Sequence, residues 1–323
     1  LPGLLIALAA AWAASAAVPS GVSAKAAKTV PPIAGCEAGR TCEPLWPEGA
    51  PGALGNAPAD RPFLTVYEPD SANANGAAVV IMPGGAYGML ARRKEGAEPA
   101  RWLSGLGVTA FQLDYRIGPA YHHPVEMGDA ARAVRWVRAH ASRYRLDTAR
   151  VGVLGFSAGG HLAAALSVHS DAGDPGAADP VERRSDRPDF QLLIYPVISM
   201  EAPYAHRASR INLLGRDPDP KVLDYLSAEK HVTAKTPPAF LVHAEPDPVV
   251  PFAHSQAYAD ALRKAGVQVE FLAFAQGTHA FGLAQERTGE PGQAQLSTWP
   301  RHCEAWMRAR GFLDRVAQGR SIR

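Results

Sequence analysis

Val151-Gly152-Val153-Leu154-Gly155-Phe156-Ser157-Ala158-Gly159-Gly160 is a short apolar run of β-formers that turns through small residues into the helical pattern His161-Leu162-Ala163-Ala164-Ala165-Leu166. A G-x-S-x-G string at such a strand-to-helix corner holds its central residue in a strained backbone conformation, and only tiny neighbours such as Gly155 and Gly159 allow strand and helix to approach closely enough. Ser157 is therefore a candidate nucleophile whose hydroxyl is expected to face a cleft. Five residues with two glycines also arise by chance. The strand before and the helix after set this occurrence apart.

Outward from that corner, β-rich runs fall at 66–67, 77–82, 108–113, 151–154, 190–195, 240–243 and 269–274. Helical spacing of apolar residues separates most of them, at 98–106, 129–144, 158–168, 252–265 and 301–312; Ala130, Val134, Val137 and Ala141 show the period. Alternating strands and helices predict an α/β fold, with a mostly parallel central sheet and helices on both faces. Ligands of such sheets bind at the carboxyl ends of the strands, where Ser157 emerges. Two irregular segments interrupt the alternation, 170–189 and 196–238. The second, between the strands near 190–195 and 239–244, reads as a lid-like excursion with a helical stretch near 222–230. It would shape substrate choice if it leans over the cleft, or be surface decoration if it does not.

A serine hydroxyl needs a base to take its proton and a third group to hold that base in the right tautomer. At such elbows the acid and then the histidine follow the serine, each on a loop just after a strand. Phe240 to Ala244 runs into Glu245-Pro246-Asp247-Pro248, and Glu270 to Phe274 runs into Gln276-Gly277-Thr278-His279. His279, set among small residues, is the candidate base. Asp247, at the tip of the Asp-Pro-Val-Val-Pro turn, is preferred as the acid to Glu245, which reads as solvated. The tetrahedral intermediate also needs preorganised N–H donors. Ala158, directly after the nucleophile, supplies one, and Gly85 and Ala86 of Pro83-Gly84-Gly85-Ala86-Tyr87, after the strand at 77–82, are the candidates for the other. With an ordinary histidine as base, activity is expected to fall as the pH drops through roughly 6 to 7.

With 323 residues, 47% of them hydrophobic, and a net charge of +2, the chain can bury a full core and gives no case for nucleic acid. The basic clusters Arg92-Arg93-Lys94 and Arg183-Arg184 have acidic neighbours and read as solvated faces. The chemistry needs no cofactor. His122-His123 lacks further ligands at metal spacing and reads as loop or cleft wall, and His161 as a packed, hydrogen-bonded residue. Residues 1–17 are apolar and end in Ala14-Ser15-Ala16, which resembles an export signal with a clipped start, and they are too short and broken to read as a membrane span. A flexible leader is expected over 18–43, a catalytic domain over 44–315 and a tail over 316–323, with the mature protein secreted or periplasmic. Of three cysteines, Cys36 and Cys42 lie close together in the leader, and an exported chain could pair them.

These pieces resemble the α/β-hydrolase esterase/lipase superfamily and, more closely, the bacterial acetylxylan esterase-like carbohydrate esterases. The likeness runs from about Pro44 to Phe312. It is carried by residues 45–52, Met82 to Tyr87, Lys94-Glu95-Gly96, Asp114-Tyr115-Arg116, residues 129–133, Gly155 to Leu162, Tyr195 to Ile198 and Gly277 to Gly282. Pro83 stands where lipase relatives carry a histidine, and Ala86 where closer relatives usually have a third glycine; neither change removes an N–H from the proposed oxyanion hole. Glu-Pro-Asp replaces the common paired acids of the acid loop, which supports Asp247 as the retained member. The resemblance implies removal of acetyl or similarly small acyl groups from xylan-derived sugars, the partner being a small-molecule or oligosaccharide ester. A serine peptidase of the same fold and a non-catalytic carbohydrate-binding relative are the competing readings. Little chain remains for the gating domain of such peptidases, and the complete set of candidate site residues argues against a retired site.

Overall fold

Runs such as Ala78-Val79-Val80-Ile81-Met82, apolar at every position, belong to strands covered on both faces, and they form the centre of the molecule. The computed structural model describes residues 33–201, 203–285 and 292–315. The expected export signal, the leader as far as residue 32 and the tail at 316–323 lie outside the described residues. Eight strands form one sheet: β1 (Thr41–Pro44), β2 (Phe63–Tyr67), β3 (Ala78–Met82), β4 (Thr109–Asp114), β5 (Val151–Phe156), β6 (Gln191–Ile194), β7 (Ala239–Ala244) and β8 (Val269–Phe274). Their order is β1-β2-β4-β3-β5-β6-β7-β8. β1 and β2 pair antiparallel, as do β2 and β4, whereas every pairing from β4 through β3 to β8 is parallel.

The helices are α1 (Glu98–Gly105), α2 (Val125–Ala139), α3 (Ser157–His169), α4 (Arg207–Leu214), α5 (Pro220–Tyr225), α6 (Ala253–Lys264), α7 (Gln293–Leu296) and α8 (Trp299–Ala309). Side chains alternate across the sheet and feed two cores. Val80, Val153, Leu193 and Leu241 join Val134 of α2, Leu162 of α3 and Leu262 of α6 on one face. Val79, Phe156, Ile194 and Phe240 join Leu103 of α1 and Trp299 and Met307 of α8 on the other. Each fully buried side chain of this size contributes about 1.5 to 3 kcal/mol. The parallel sheet with helices on both faces is as the alternation of strands and helices predicts.

Residues 33–43, expected to belong to a flexible leader, are tied to the domain. Cys36 and Cys42 form a disulfide, the Tyr67 hydroxyl donates to Glu37, and β1 begins at Thr41 as the edge partner of β2. Between β6 and β7 the excursion carries α4, α5 and a 3-10 turn at Ala228–Lys230. The helical stretch expected near 222–230 is thus α5 plus that turn, while α4 was not expected. His254 of α6 pins the start of the excursion: its Nδ1 accepts the N–H groups of Ile198 and Ser199 at 3.0 and 3.1 Å, and its Nε2 donates to the Tyr204 carbonyl. Burial pushes this imidazole down to about 3, so the ring is a neutral connector. Among the described residues no helix is long and apolar enough to cross a membrane.

One buried group works against stability. Glu126, in the first turn of α2, is fully buried, and neither carboxyl oxygen is in hydrogen-bond geometry with a partner among the described residues. Burial, opposed by its own backbone N–H and reinforced by Asp129, raises this carboxyl from 4.5 to about 8. Between those pH values the folded state keeps a proton that the unfolded chain has released, so the group costs stability progressively as the pH rises. Glu126→Gln is expected to stabilise the fold by an amount that grows from near zero below pH 4.5 to on the order of 1 to 3 kcal/mol by about pH 8. Thermal unfolding across that range measures it, and a gain independent of pH would contradict the assignment.

Candidate active site

Ser157 sits where β5 ends and α3 begins. Phe156 is still extended, with φ −115° and ψ 135°, while Ser157 itself is left-handed at φ +50°. The turn is this sharp because two glycines remove side chains from a crowded corner. A Cβ at Gly155 would lie 2.3 Å from the Gly159 carbonyl oxygen, and one at Gly159 would lie 2.0 Å from that of Met82 at the end of β3. Nothing larger than hydrogen fits at either position without moving backbone.

His279 follows β8 and Asp247 follows β7, as the order of elements predicted. The structure brings both to Ser157. His279 Nε2 lies 2.9 Å from Ser157 Oγ, and His279 Nδ1 lies 2.7 Å from Asp247 Oδ2. An ionised carboxylate only accepts, so Nδ1 carries the ring proton and Nε2 is the acceptor for the serine hydroxyl. Asp247 Oδ1 also accepts the N–H groups of Val249 and Val250, at 2.9 and 3.0 Å. Burial works to raise this carboxyl; hydrogen bonds from His243 and His279, with the backbone donor at Val249, outweigh it and hold Asp247 well below the usual carboxylate range. Glu245 is exposed, so the expected preference for Asp247 agrees with where the two acids lie.

The loop after β3 runs beside Ser157. A Cβ at Gly84 would lie 2.9 Å from that of Ser157. Gly85, Ala86 and Tyr87 have φ of +128°, +53° and +60°, and left-handed alanine and tyrosine are strained. Their surroundings hold them there. The Tyr115 hydroxyl donates to the Pro83 carbonyl at 2.6 Å, and Asn212 of α4 donates from Nδ2 to the Ala86 carbonyl at 2.8 Å. The Tyr87 hydroxyl donates to His161 Nδ1 at 2.7 Å, and His161 Nε2 donates to the Leu226 carbonyl in the excursion at 2.8 Å. Burial pushes His161 down to about 4, which keeps it neutral for this bridging role. Among the described residues the N–H groups of Gly85, Ala86 and Ala158 are left without an acceptor, which suits donors held for a ligand oxygen.

Two contributors to the site escaped the sequence reading. Asn212 lies in a helix whose residues, Arg-Ala-Ser-Arg-Ile-Asn-Leu-Leu, carry too little apolar periodicity to mark it. His243 lies inside β7, in an apolar run, where a histidine reads as core. Its Nε2 faces Asp247 Oδ2 at 3.3 Å and the Val250 carbonyl at 2.9 Å, while Nδ1 meets Ser255 Oγ at 2.7 Å. The spacing from His243 to Asp247 was the only available sign. The described residues hold no cluster of three or more metal-ligating side chains.

Comparison with known proteins agrees with this architecture. The BD-FAE family model matches residues 64–262, and the dienelactone hydrolase family model matches residues 226–311. An acetylxylan esterase of Xylanibacter ruminicola is 36% identical over 215 residues, which are 65% of this chain and 42% of that protein. A Butyrivibrio fibrisolvens protein named endo-1,4-β-xylanase B is 37% identical over 216 residues, 64% of this chain and 33% of that protein. The chain thus spans less than half the length of either relative. The crystal structure of an acetyl ester-xyloside bifunctional hydrolase from Caldicellulosiruptor lactoaceticus superposes with a TM-score of 0.77 at 41% identity, covering 84% of this chain and 97% of that one. Esterase 2 of Thermogutta terrifontis, at 24% identity and a TM-score of 0.66 over 88% of this chain and 96% of its own, shares the fold. With its family model spanning more than half of the sequence, the chain belongs to the BD-FAE family, among the α/β-hydrolase esterases.

Proposed function

We propose that the protein is a secreted or periplasmic serine esterase that removes small acyl groups, of acetyl type, from xylan-derived saccharides. The observation that carries this reading is the unbroken hydrogen-bonded chain from Ser157 through His279 to Asp247. Ser157 Oγ attacks the ester carbonyl while His279 Nε2 takes its proton, and Asp247 stabilises the imidazolium that results. The carbonyl oxygen becomes an oxyanion beside the N–H groups of Ala158 and of Gly85 or Ala86. Each such donor contributes about 3 to 4 kcal/mol to the transition state. Collapse breaks the ester C–O bond; His279 returns the proton to the leaving sugar hydroxyl, and the acyl group stays on Ser157. Water, deprotonated by the same imidazole, then attacks the acyl-enzyme and releases the carboxylic acid.

The proposed substrate class is supported by the relatives' names, an acetylxylan esterase and an acetyl ester-xyloside hydrolase, and by small residues at the candidate oxyanion positions. Export is supported by the Cys36–Cys42 disulfide, because such a bond persists in oxidising compartments.

Ser157→Ala is expected to lower kcat on p-nitrophenyl acetate by about a thousandfold or more without loss of fold, and a fluorophosphonate should label only the wild type. Among acetylated xylo-oligosaccharide, butyryl, feruloyl and peptide-amide substrates, the first should show the highest kcat/KM; preference for the amide would replace esterase with peptidase. Asp247→Asn should remove most turnover, whereas Glu245→Gln should leave it within about twofold, and the reverse would exchange the two acids' roles. Because Asp247 is held ionised far into the acid range, the acid limb of log kcat/KM against pH should have unit slope, one proton on His279. A slope of two would place a second titrating group in the reaction.

A further inference from the structure

Glu95 takes no part in the chemistry above, yet it is a buried carboxyl bonded to the loop that abuts Ser157. It is 3% exposed and lies in a π-helical turn at Arg93–Ala97, the kind of irregular helix frequent at functional sites. Its two oxygens reach two different loops. Oε2 accepts the Gly84 N–H at 2.9 Å, and Oε1 accepts the Tyr195 hydroxyl at 2.9 Å. The Tyr195 oxygen in turn accepts the Gly282 N–H at 3.0 Å, three residues after His279. The Tyr195 ring stands edge-on to the His279 imidazole, with centroids 4.7 Å apart, on a left-handed backbone at φ +38°. Gly84 meanwhile abuts Ser157. One carboxyl therefore joins the loop carrying the oxyanion donors to the loop carrying the base, through a single tyrosine. Burial raises this carboxyl above its ordinary value, against the pull of the Tyr195 and Gly84 donors. A buried group of this kind is costly to keep unless its geometry is used.

We propose that Glu95 and Tyr195 are positioning residues that set the oxyanion loop against His279 in the transition state, without touching substrate. The inference rests on the esterase reading of the same site. Glutamine at 95 can accept from one of the two donors, but its amide nitrogen then faces the other donor. Phenylalanine at 195 keeps the ring packed on His279 and loses both hydrogen bonds.

The test compares wild type, Glu95→Gln, Tyr195→Phe and Ser157→Ala on p-nitrophenyl acetate, with thermal unfolding of each and the affinity of an alkylboronic acid, which adds to the serine as a tetrahedral mimic. Glu95→Gln is expected to lower kcat on the order of 10- to 100-fold and Tyr195→Phe about tenfold, with KM within about twofold. Boronate affinity should fall in proportion to kcat/KM. If Ser157→Ala is inactive while folded Glu95→Gln and Tyr195→Phe keep wild-type kcat and boronate affinity, or change KM alone, the positioning role is wrong and the esterase reading stands. If Glu95→Gln does not fold, Tyr195→Phe decides by the same criteria. Activity retained by Ser157→Ala overturns the esterase reading and this inference with it.

Discussion

The passage of Gly159 against the end of β3, where a single methyl group would lie 2.0 Å from the Met82 oxygen, is the contact on which the rest of the structure depends. It lets α3 start directly over the sheet, it forces Ser157 into a left-handed conformation, and it brings the loop after β3 alongside. The parallel direction of β3, β5, β7 and β8 then does the assembling, because every loop that leaves a carboxyl end emerges on the same side. Two apolar layers hold the strands in register, so the strained residues at the loop tips are over-determined by their surroundings.

Buried histidines recur as connectors in this arrangement. His161 joins the loop after β3 to the excursion, His254 fastens the start of the excursion to α6, and His243 backs the carboxylate of Asp247. Burial holds His161 and His254 neutral, so each offers one donor and one acceptor at a fixed angle. This is a rigid way to satisfy polar backbone in places where a flexible amide would also fit.

The inner parallel strands β3, β5, β6 and β7 were legible because they are buried along their whole length and read as largely apolar runs, whereas the edge strand β8, with Glu270 exposed, was legible from its β-formers; Ser157, Asp247 and His279 were legible because each follows a strand at a loop. β1 was not legible: Thr-Cys-Glu-Pro has neither alternation nor apolar length, and its pairing is set by a cross-link and by Glu37 reaching Tyr67. Nor was Asn212, whose contact with Ala86 spans more than a hundred residues of chain and leaves no local pattern. The sequence order of loops is a property of the sheet. The hydrogen bonds between loops are a property of tertiary packing alone.

The segment between β6 and β7 is hydrogen-bonded to the residues around Ser157 at several points: Val197 N–H on the Ser157 carbonyl, Asn212 on Ala86 and His161 on Leu226 are among them. Diversification of this scaffold is therefore constrained. Under the proposed function, a relative that trades this segment for another also inherits a new setting for the Ala86 peptide. On that reading selectivity and turnover would be epistatic, and a grafted segment would have to bring an equivalent of Asn212.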